Sequence, residues 1–216
     1  MRVLELFAGS RSIGKEAESL GYEVFSSDLK PFEGINYPVD ILEFDISKVP
    51  FKPDIIWASP PCTTYSVAAI SHHRPHNGEM SDFAKKSDLI VQKVIEIIRE
   101  LNPYKWYIEN PRGMLRKQSF MVGLPRTTVW YCQYGDTRAK PTDIWTNNLR
   151  NLMNPQGWQP RKECFNGNDK CHHDKQPRGY KAKKETGALG KGTQGLKNNY
   201  ERSKIPQELC REILIS

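Results

Sequence analysis

The chain has 216 residues, of which 38% are hydrophobic, and its net charge is +7. This length fits one α/β domain with a short insertion, and the apolar content allows a substantial core. No apolar run approaches membrane-spanning length, no signal-peptide pattern opens the chain, and the five cysteines lack disulfide-framework spacing, which together favour a cytoplasmic, reducing location.

The first thirty residues predict a strand, a turn, a helix and a second strand. The apolar run 2–7 is typical of a buried strand, and small residues fill the turn that follows. A helix is predicted over 13–20, because its apolar residues share one face and a glycine ends it. The second strand, 22–27, leads to Asp28. An acidic residue about twenty positions after a glycine turn is typical of nucleotide-binding α/β units, where its carboxylate accepts hydrogen bonds from ribose hydroxyls.

The middle of the chain predicts one long helix among several short strands. Apolar residues recur at helical spacing over 83–101. A polar stretch with three histidines, 67–81, is predicted to be a mobile loop. The predicted strands lie at 39–41, 54–58, 105–108, 127–134 and 144–146.

The strand at 54–58 runs into Ser59, two prolines and Cys62. Each proline fixes its own φ, and Pro61 also restricts Pro60, so the turn is stiff and aims the cysteine. A thiol at the end of a buried strand suits covalent chemistry. A structural cysteine after the turn is the alternative.

Positive charge is concentrated in the last quarter of the chain. The segment 161–204 holds 12 lysines and arginines against 5 acidic residues, and the remainder is close to neutral. Over 148–199 glycine, lysine, asparagine and proline dominate without periodicity, and a short amphipathic helix follows at 206–215. Such a basic segment predicts a nucleic-acid-binding surface, with a solvated lysine-rich loop as the alternative.

Five motifs stand in the order found in the DNA cytosine methyltransferases that act at carbon 5, and residues 1–146 resemble that family. Residues 5–10 are similar to its cofactor loop, 59–66 to its Pro-Cys motif, and 109–111 to its Glu-Asn-Val motif. Residues 133–140 resemble a degenerate Gln-x-Arg-x-Arg motif, and 201–206 resemble the final motif, whose helix packs beside the first strand.

The resemblance implies an α/β, Rossmann-like S-adenosylmethionine-dependent methyltransferase fold with a mostly parallel central sheet. It implies a catalytic and cofactor-binding domain at 1–147, a short basic Cys/His-containing insertion at 148–200 as a reduced target-recognition region, and a helix at 201–216 that packs back on the catalytic domain. The compact size is similar to that of small phage-encoded members, and the biological role, such as restriction–modification, is left open.

The resemblance also implies methyl transfer from S-adenosylmethionine to carbon 5 of a flipped-out cytosine in duplex DNA, through a covalent adduct with Cys62. Glu109 would act as the acid on the ring, with a cation from Arg138 or Lys140 nearby. Which cation faces the base is left open, because Lys140 stands at the family's first arginine and Thr142 at its second. The residues expected to contact DNA are Ser66, His72, His73 and Asn110.

The residues expected to bind S-adenosylmethionine follow the first four predicted strands. Asp28 would bind the ribose, and Asp40 with Ile41 would meet the adenine. Arg11 departs from the family, which has a second glycine in this loop. The full set implied by the resemblance is Glu5, Phe7, Ala8, Gly9, Ser10, Asp28, Leu29, Asp40, Ile41, Ser59 and Pro60.

Two alternatives to this function and one metal site are also considered. The chain could methylate cytosine in RNA, or it could be a catalytically decayed homologue that only binds nucleic acid. Within the basic segment, Cys164, Cys171 and His173 have the residue types of a zinc site, with Cys132 as a further ligand. An unliganded polar loop is the alternative. The recognition sequence and the oligomeric state are not predicted.

Overall fold

The computed structural model describes residues 1–67, 69–138, 140–164 and 199–216. Within these residues, one seven-stranded sheet forms the centre of the fold. Its strands are β1 (Arg2–Leu6), β2 (Glu23–Asp28), β3 (Tyr37–Pro38), β4 (Ile55–Ala58), β5 (Lys105–Pro111), β6 (Arg126–Trp130) and β7 (Pro141–Thr146).

The sheet is mostly parallel, as predicted. Its strand order is β3-β2-β1-β4-β5-β7-β6. Neighbouring strands are parallel from β3 to β5, and β7 lies antiparallel between β5 and β6. The carboxyl ends of β1, β2, β4 and β5 therefore meet at one edge, which is where ligands bind in open α/β sheets.

Helices cover both faces of the sheet. In the described part they are α1 (Ser12–Ser19), α2 (Ile70–His73), α3 (Asp82–Leu101), α4 (Asn199–Ser203) and α5 (Gln207–Ile215). The longest, α3, begins where the Ser81 hydroxyl accepts a hydrogen bond from the Ala84 amide at 3.1 Å and ends at Asn102, whose φ is 44°. None of the helices in the described part is both long and apolar enough to cross a membrane.

Alternating side chains of each strand enter two separate cores. One face packs against α3 through Leu4, Ile56 and Ile108, which are fully buried. The other face packs against α1 and α5, where Val3 lies in one cluster with Ile213. The C-terminal helix α5 thus shares this core with α1 and with side chains of the first strand.

Two predicted strands have different limits in the structure. The predicted strand at 39–41 is wrong, because Asp40 accepts a hydrogen bond from the Leu42 amide at 3.1 Å and caps a 3-10 turn at Ile41–Glu43. The predicted strand at 127–134 ends early, at Trp130. Residues 131–134 form a 3-10 turn that ends at Gly135, whose φ is 84°.

The predicted mobile loop at 67–81 contains α2 and is anchored by Arg74. The guanidinium of Arg74 donates to both carboxylate oxygens of Asp88, at 2.6 and 3.1 Å, and to the carbonyl oxygen of Thr64 at 3.1 Å. It also lies 4.5 Å from the ring centroid of Tyr65. The anchor ties this segment to α3 and to the turn that follows Cys62.

Candidate active site

The turn after β4 and the end of β5 bring Cys62 and Glu109 to the same edge of the sheet. The two strands are parallel neighbours, with Ala58 opposite Ile108. Beyond that register, the buried Asn110 side chain donates from Nδ2 to the carbonyl oxygen of Pro60 at 2.9 Å. Asn110 was expected to contact DNA, and the structure instead places this amide against the turn that carries the thiol.

The Cys62 thiol is surrounded by charged groups. Burial raises its pKa above the ordinary value, and the negative charge of Glu109 raises it further. The positive charges of Lys140 and Arg202 act in the opposite direction. The thiol is therefore protonated at neutral pH before any ligand binds.

Glu109 lies in the interior with two polar neighbours. The Tyr131 hydroxyl donates to Glu109 Oε1 at 3.0 Å, and Lys140 Nζ lies 3.8 Å from the same oxygen. The Lys140 ammonium is also 4.6 Å from the ring centroid of Tyr131. An acid, a phenol and a cation thus form one buried cluster beside the thiol.

Of the two candidate cations, Lys140 is the one beside the carboxylate. Arg138 Nε lies 2.9 Å from both carboxylate oxygens of Asp136, and its terminal nitrogens donate to the carbonyl oxygens of Arg202 and Lys204, both at 3.1 Å. The Arg138 side chain therefore fixes the segment between α4 and α5.

The loop after β1 has the backbone of a glycine-rich turn although only one of its strained positions is glycine. Phe7, Gly9 and Arg11 have φ values of 57°, 45° and 55°. L-residues rarely adopt this region because Cβ approaches the backbone carbonyl. At Arg11, contacts hold the conformation: Nε donates to Ser26 Oγ at 3.3 Å and the guanidinium pairs with Glu18.

Glu5 supports this loop from within the protein. Its carboxylate accepts from the Ile13 amide at 3.2 Å and from Ser26 Oγ at 3.1 Å. Burial raises the pKa of Glu5 to about 7, and these hydrogen bonds oppose the rise. The side chain, which was expected to bind the cofactor, is engaged with α1 and β2.

Two aspartates lie beside the loop. Asp28 Oδ2 accepts from the Gly9 amide and Oδ1 from the Lys30 amide, both at 3.0 Å. The hydrogen bond from the Leu42 amide lowers the pKa of Asp40, and Lys86 Nζ, at 3.1 Å, lowers it further. Both carboxyl groups are therefore fixed at the edge formed by β1, β2 and β3.

The remaining residues expected to bind the cofactor lie along the same edge. The Ser59 hydroxyl accepts from Trp57 Nε1 at 2.8 Å, which fixes the start of the cysteine turn. The side chain of Leu29 is 66% exposed, whereas Ile41 is buried in the core. The other three side chains are buried: Ala8, Ser10 and Pro60.

The residues expected to contact DNA have different surroundings. His72 is exposed, but His73 Nδ1 lies 3.1 Å from Ser81 Oγ and its ring packs edge-on against Phe83. Ser66 is half-buried where the turn after Cys62 ends. The two histidines therefore differ: His72 is exposed, whereas His73 packs against its neighbours. Their contact with DNA stays a prediction.

Sequence reasoning missed Tyr131, because an aromatic residue in an apolar run is typical of an ordinary core strand. It also missed Gly113: a Cβ there would lie 2.4 Å from the carbonyl oxygen of Tyr65, so β5 can approach the cysteine turn only without a side chain. No local sequence signal marks this close approach.

The zinc prediction stays a prediction. Among the residues that the structure describes, no group of three or more histidine, cysteine, aspartate or glutamate side chains could hold a metal ion. Cys132 and Cys164 are buried, and Cys171 and His173 lie outside the described residues.

Comparisons with known proteins identify the family of the chain. A sequence model for the family "C-5 cytosine-specific DNA methylase" matches residues 1–124. A protein of Frog virus 3 (isolate Goorha), named "Probable DNA (cytosine-5)-methyltransferase", is 30% identical over 227 residues, which cover 99% of each chain.

Two solved structures are similar to the chain at low sequence identity. A prophage-encoded protein of E. coli, described as a DNA modification methyltransferase, is 16% identical with a TM-score of 0.50, and the match covers 68% of this chain and 46% of that one. The S. pombe Dnmt2 methyltransferase is 13% identical with a TM-score of 0.49, covering 70% and 51%. The chain thus spans about half the length of these two structures.

Proposed function

This chain belongs to the C-5 cytosine-specific DNA methylase family, and on that premise we propose that it transfers a methyl group from S-adenosylmethionine to carbon 5 of a flipped-out cytosine in DNA. The observation that carries the proposal is the meeting of Cys62 and Glu109 at one edge of the sheet, where the carboxylate influences the thiol. A nucleophile and an acid at the ends of neighbouring parallel strands can reach two sides of one small ring.

The residues along the edge fit S-adenosylmethionine. The positive φ at Gly9 lets a ligand approach the backbone of the loop, and Asp28 and Asp40 supply acceptors for ribose hydroxyls and for an adenine amino group. Leu29 offers an exposed apolar side chain beside Asp28. When bound, the cofactor would supply a methyl group from its sulfonium. The rest of the cofactor would leave as a neutral thioether.

Cys62 and Glu109 would make carbon 5 nucleophilic. The Cys62 thiol first loses its proton to solvent, and the thiolate then adds to carbon 6, forming a sulfur–carbon bond as the carbon 5–carbon 6 double bond opens. Glu109 donates a proton to the ring nitrogen, so that the displaced electron pair is available at carbon 5. After carbon 5 has been methylated, a water molecule would accept the proton of carbon 5, which re-forms the double bond and expels the Cys62 thiolate. The ring nitrogen would return its proton to Glu109.

Lys140 would assist both groups. Its ammonium stabilises the thiolate that must form, since its charge lowers the raised pKa of Cys62. It also lies 3.8 Å from Glu109 and so holds the carboxyl group in place. Carbon 6 of a stacked base is out of reach, and extrusion of the cytosine, which costs about a few kcal/mol, would expose it.

Transfer of tritium from methyl-labelled S-adenosylmethionine to unmethylated genomic DNA tests the proposal, because genomic DNA offers every short recognition sequence. We expect label in DNA as 5-methylcytosine, its loss in Cys62→Ser, and a transfer rate that is strongly reduced but still measurable over long incubations in Glu109→Gln. Cys210→Ala is the matched control, since Cys210 is buried in α5. Label in transfer RNA with none in DNA, or no label in either, would overturn the proposal.

A further inference from the structure

We propose that Tyr131 is a positioning residue, which holds one oxygen of Glu109 so that the other oxygen presents its proton to the pyrimidine. The inference rests on the proposed function, because it takes Glu109 as the acid that acts on the ring. Tyr131 is fully buried at the start of the 3-10 turn after β6, and its hydroxyl donates to Glu109 Oε1 at 3.0 Å.

A backbone hydrogen bond and a side-chain contact hold Tyr131 and Lys140 together. The Tyr131 amide donates to the Lys140 carbonyl oxygen at 3.2 Å, and the Lys140 ammonium lies over the Tyr131 ring. Both side chains reach the same carboxylate oxygen, Oε1. The phenol and the ammonium are thus directed together at one of the two oxygens of Glu109.

This arrangement makes the two oxygens of Glu109 unequal. An oxygen that accepts a hydrogen bond and faces a positive charge is the weaker base, because its negative charge is already stabilised. Once Glu109 has taken up a proton, these contacts at Oε1 favour Oε2 as the oxygen that carries it. Burial raises the pKa of Tyr131 well above its usual value, and the charge of Glu109 raises it further, so the phenol remains a donor throughout the working pH range.

Two other polar residues lie near the phenol, and the Thr142 side chain also interacts with the Tyr131 hydroxyl. Arg138 is paired with Asp136, and the Thr142 hydroxyl donates to the Lys140 carbonyl oxygen at 3.4 Å. Among the described residues, the groups directed at Glu109 Oε1 are those of Tyr131 and Lys140. Removal of the phenol hydroxyl would leave this oxygen with the more mobile ammonium alone.

The test is single-turnover methyl transfer by Tyr131→Phe, which removes one oxygen atom and keeps the ring. We expect the rate to fall ~100-fold with an unchanged KM for S-adenosylmethionine, because a directed donor beside the reacting group is lost and the cofactor loop is untouched. Tyr134→Phe is the matched control. Tyr134 lies in the same 3-10 turn, and its hydroxyl accepts from the Arg161 amide at 2.9 Å, away from Glu109.

A double-mutant cycle distinguishes positioning from a general effect on folding. In the Glu109→Gln background, Tyr131→Phe should cause no further loss, because residues that act through one another are not additive. An unchanged rate in Tyr131→Phe, or the same fold loss in both backgrounds, would overturn the inference. If wild type labels no DNA, the proposed function fails, and the inference fails with it.

A second substitution keeps the test independent of folding. Replacement of Tyr131 by 3-fluorotyrosine retains the hydroxyl and makes it a stronger hydrogen-bond donor, so the rate of methyl transfer should change. The same replacement at Tyr134 should leave the rate unchanged. A rate equal to that of wild type at position 131 would count against a role for the phenol.

Discussion

The Asn110 side chain binds the carbonyl oxygen of Pro60, at 2.9 Å, and so joins the strand that carries Glu109 to the turn that carries Cys62. The other amide atom, Oδ1, is buried and has no hydrogen-bond partner among the described residues. A buried amide oxygen that makes no hydrogen bond lowers the stability of the folded protein. The relative position of thiol and acid thus depends on contacts of the turn with β5.

Gly113 makes the second of these contacts, and Gly113→Ala tests it. The new Cβ would meet the Tyr65 carbonyl oxygen at 2.4 Å, so the turn after Cys62 must move. We expect kcat to fall ~10- to 100-fold, because such displacements misplace reacting atoms. Gly123→Ala is the control: its φ of 86° is strained but its Cβ meets open space, so activity should persist. Equal activity in the two variants would refute the close approach.

The reactivity of Cys62 should respond in opposite directions to its two charged neighbours. Glu109 raises the pKa of the thiol and Lys140 lowers it. At pH 8, iodoacetamide should therefore alkylate Cys62 faster in Glu109→Gln and more slowly in Lys140→Met. For wild type, the rate should increase ~10-fold per pH unit from pH 7 to 9 without levelling, as the thiolate fraction grows.

The alkylation rate is measured by mass spectrometry of the peptide that contains Cys62, with Cys62→Ser to report background. A rate that reaches a plateau below pH 8 would show that the thiol is already activated in the free protein. Changes in the same direction in both variants would show that neither charge acts on the sulfur.

Glu5 should make the stability of the protein depend on pH. Its pKa is about 7 in the folded protein against 4.5 for the unfolded chain, so the folded state binds the proton more tightly. Its contribution to stability is fully present below pH 4.5 and is lost as pH rises through 7. Glu5→Gln keeps an acceptor and a donor but cannot ionise, so above pH 7 it should be more stable than wild type by on the order of 3 kcal/mol.

Urea unfolding from pH 4.5 to 8 measures this difference. The free energies of unfolding of wild type and Glu5→Gln should diverge as pH rises. Glu23→Gln is the control, because Glu23 is mostly exposed and pairs with Arg2 at the surface. If the two unfolding curves stay parallel across this pH range, Glu5 is not the titrating group.

Arg74 should contribute strongly to the stability of the protein, because it anchors the segment after Cys62. Arg74→Met leaves the half-buried Asp88 carboxylate without its cation, which should cost about 2–3 kcal/mol, less than the loss of one partner from a fully buried pair. Lys85→Met removes a comparable charge from an exposed pair with Asp82 and should have no measurable effect. Thermal unfolding of both variants checks this, and similar melting temperatures would contradict the anchoring role.

The periodic parts of the fold were predictable because burial determines them. The apolar face of α3 and the alternation in β1 and β4 follow from which residues enter the two cores. The strand limits near 40 and 131 were not predictable, because a capping aspartate and a glycine turn decide where the chain leaves the sheet. In both places one local hydrogen bond or φ value outweighs the pattern.

The candidate site was predictable in its chemical groups and not in their arrangement. Motif order identified Cys62 and Glu109 and left two cations open. Only the fold shows that Arg138 is paired with Asp136 while Lys140 reaches Glu109. In an irregular turn, the directions of side chains two positions apart do not follow from the sequence. Tyr131 was missed because its partner, Glu109, is 22 residues away in the sequence and an aromatic residue in an apolar run is typical of an ordinary core strand.

The most direct test of the account is covalent trapping on DNA that contains 5-fluorocytosine. Fluorine at carbon 5 leaves no proton to remove after methyl transfer, so the Cys62–carbon 6 bond should persist as a denaturant-resistant protein–DNA complex. We predict that wild type forms this complex only when S-adenosylmethionine is present, and that Cys62→Ser does not form it. Labelling of ordinary DNA without any such complex, or a complex that persists in Cys62→Ser, would contradict Cys62 as the nucleophile.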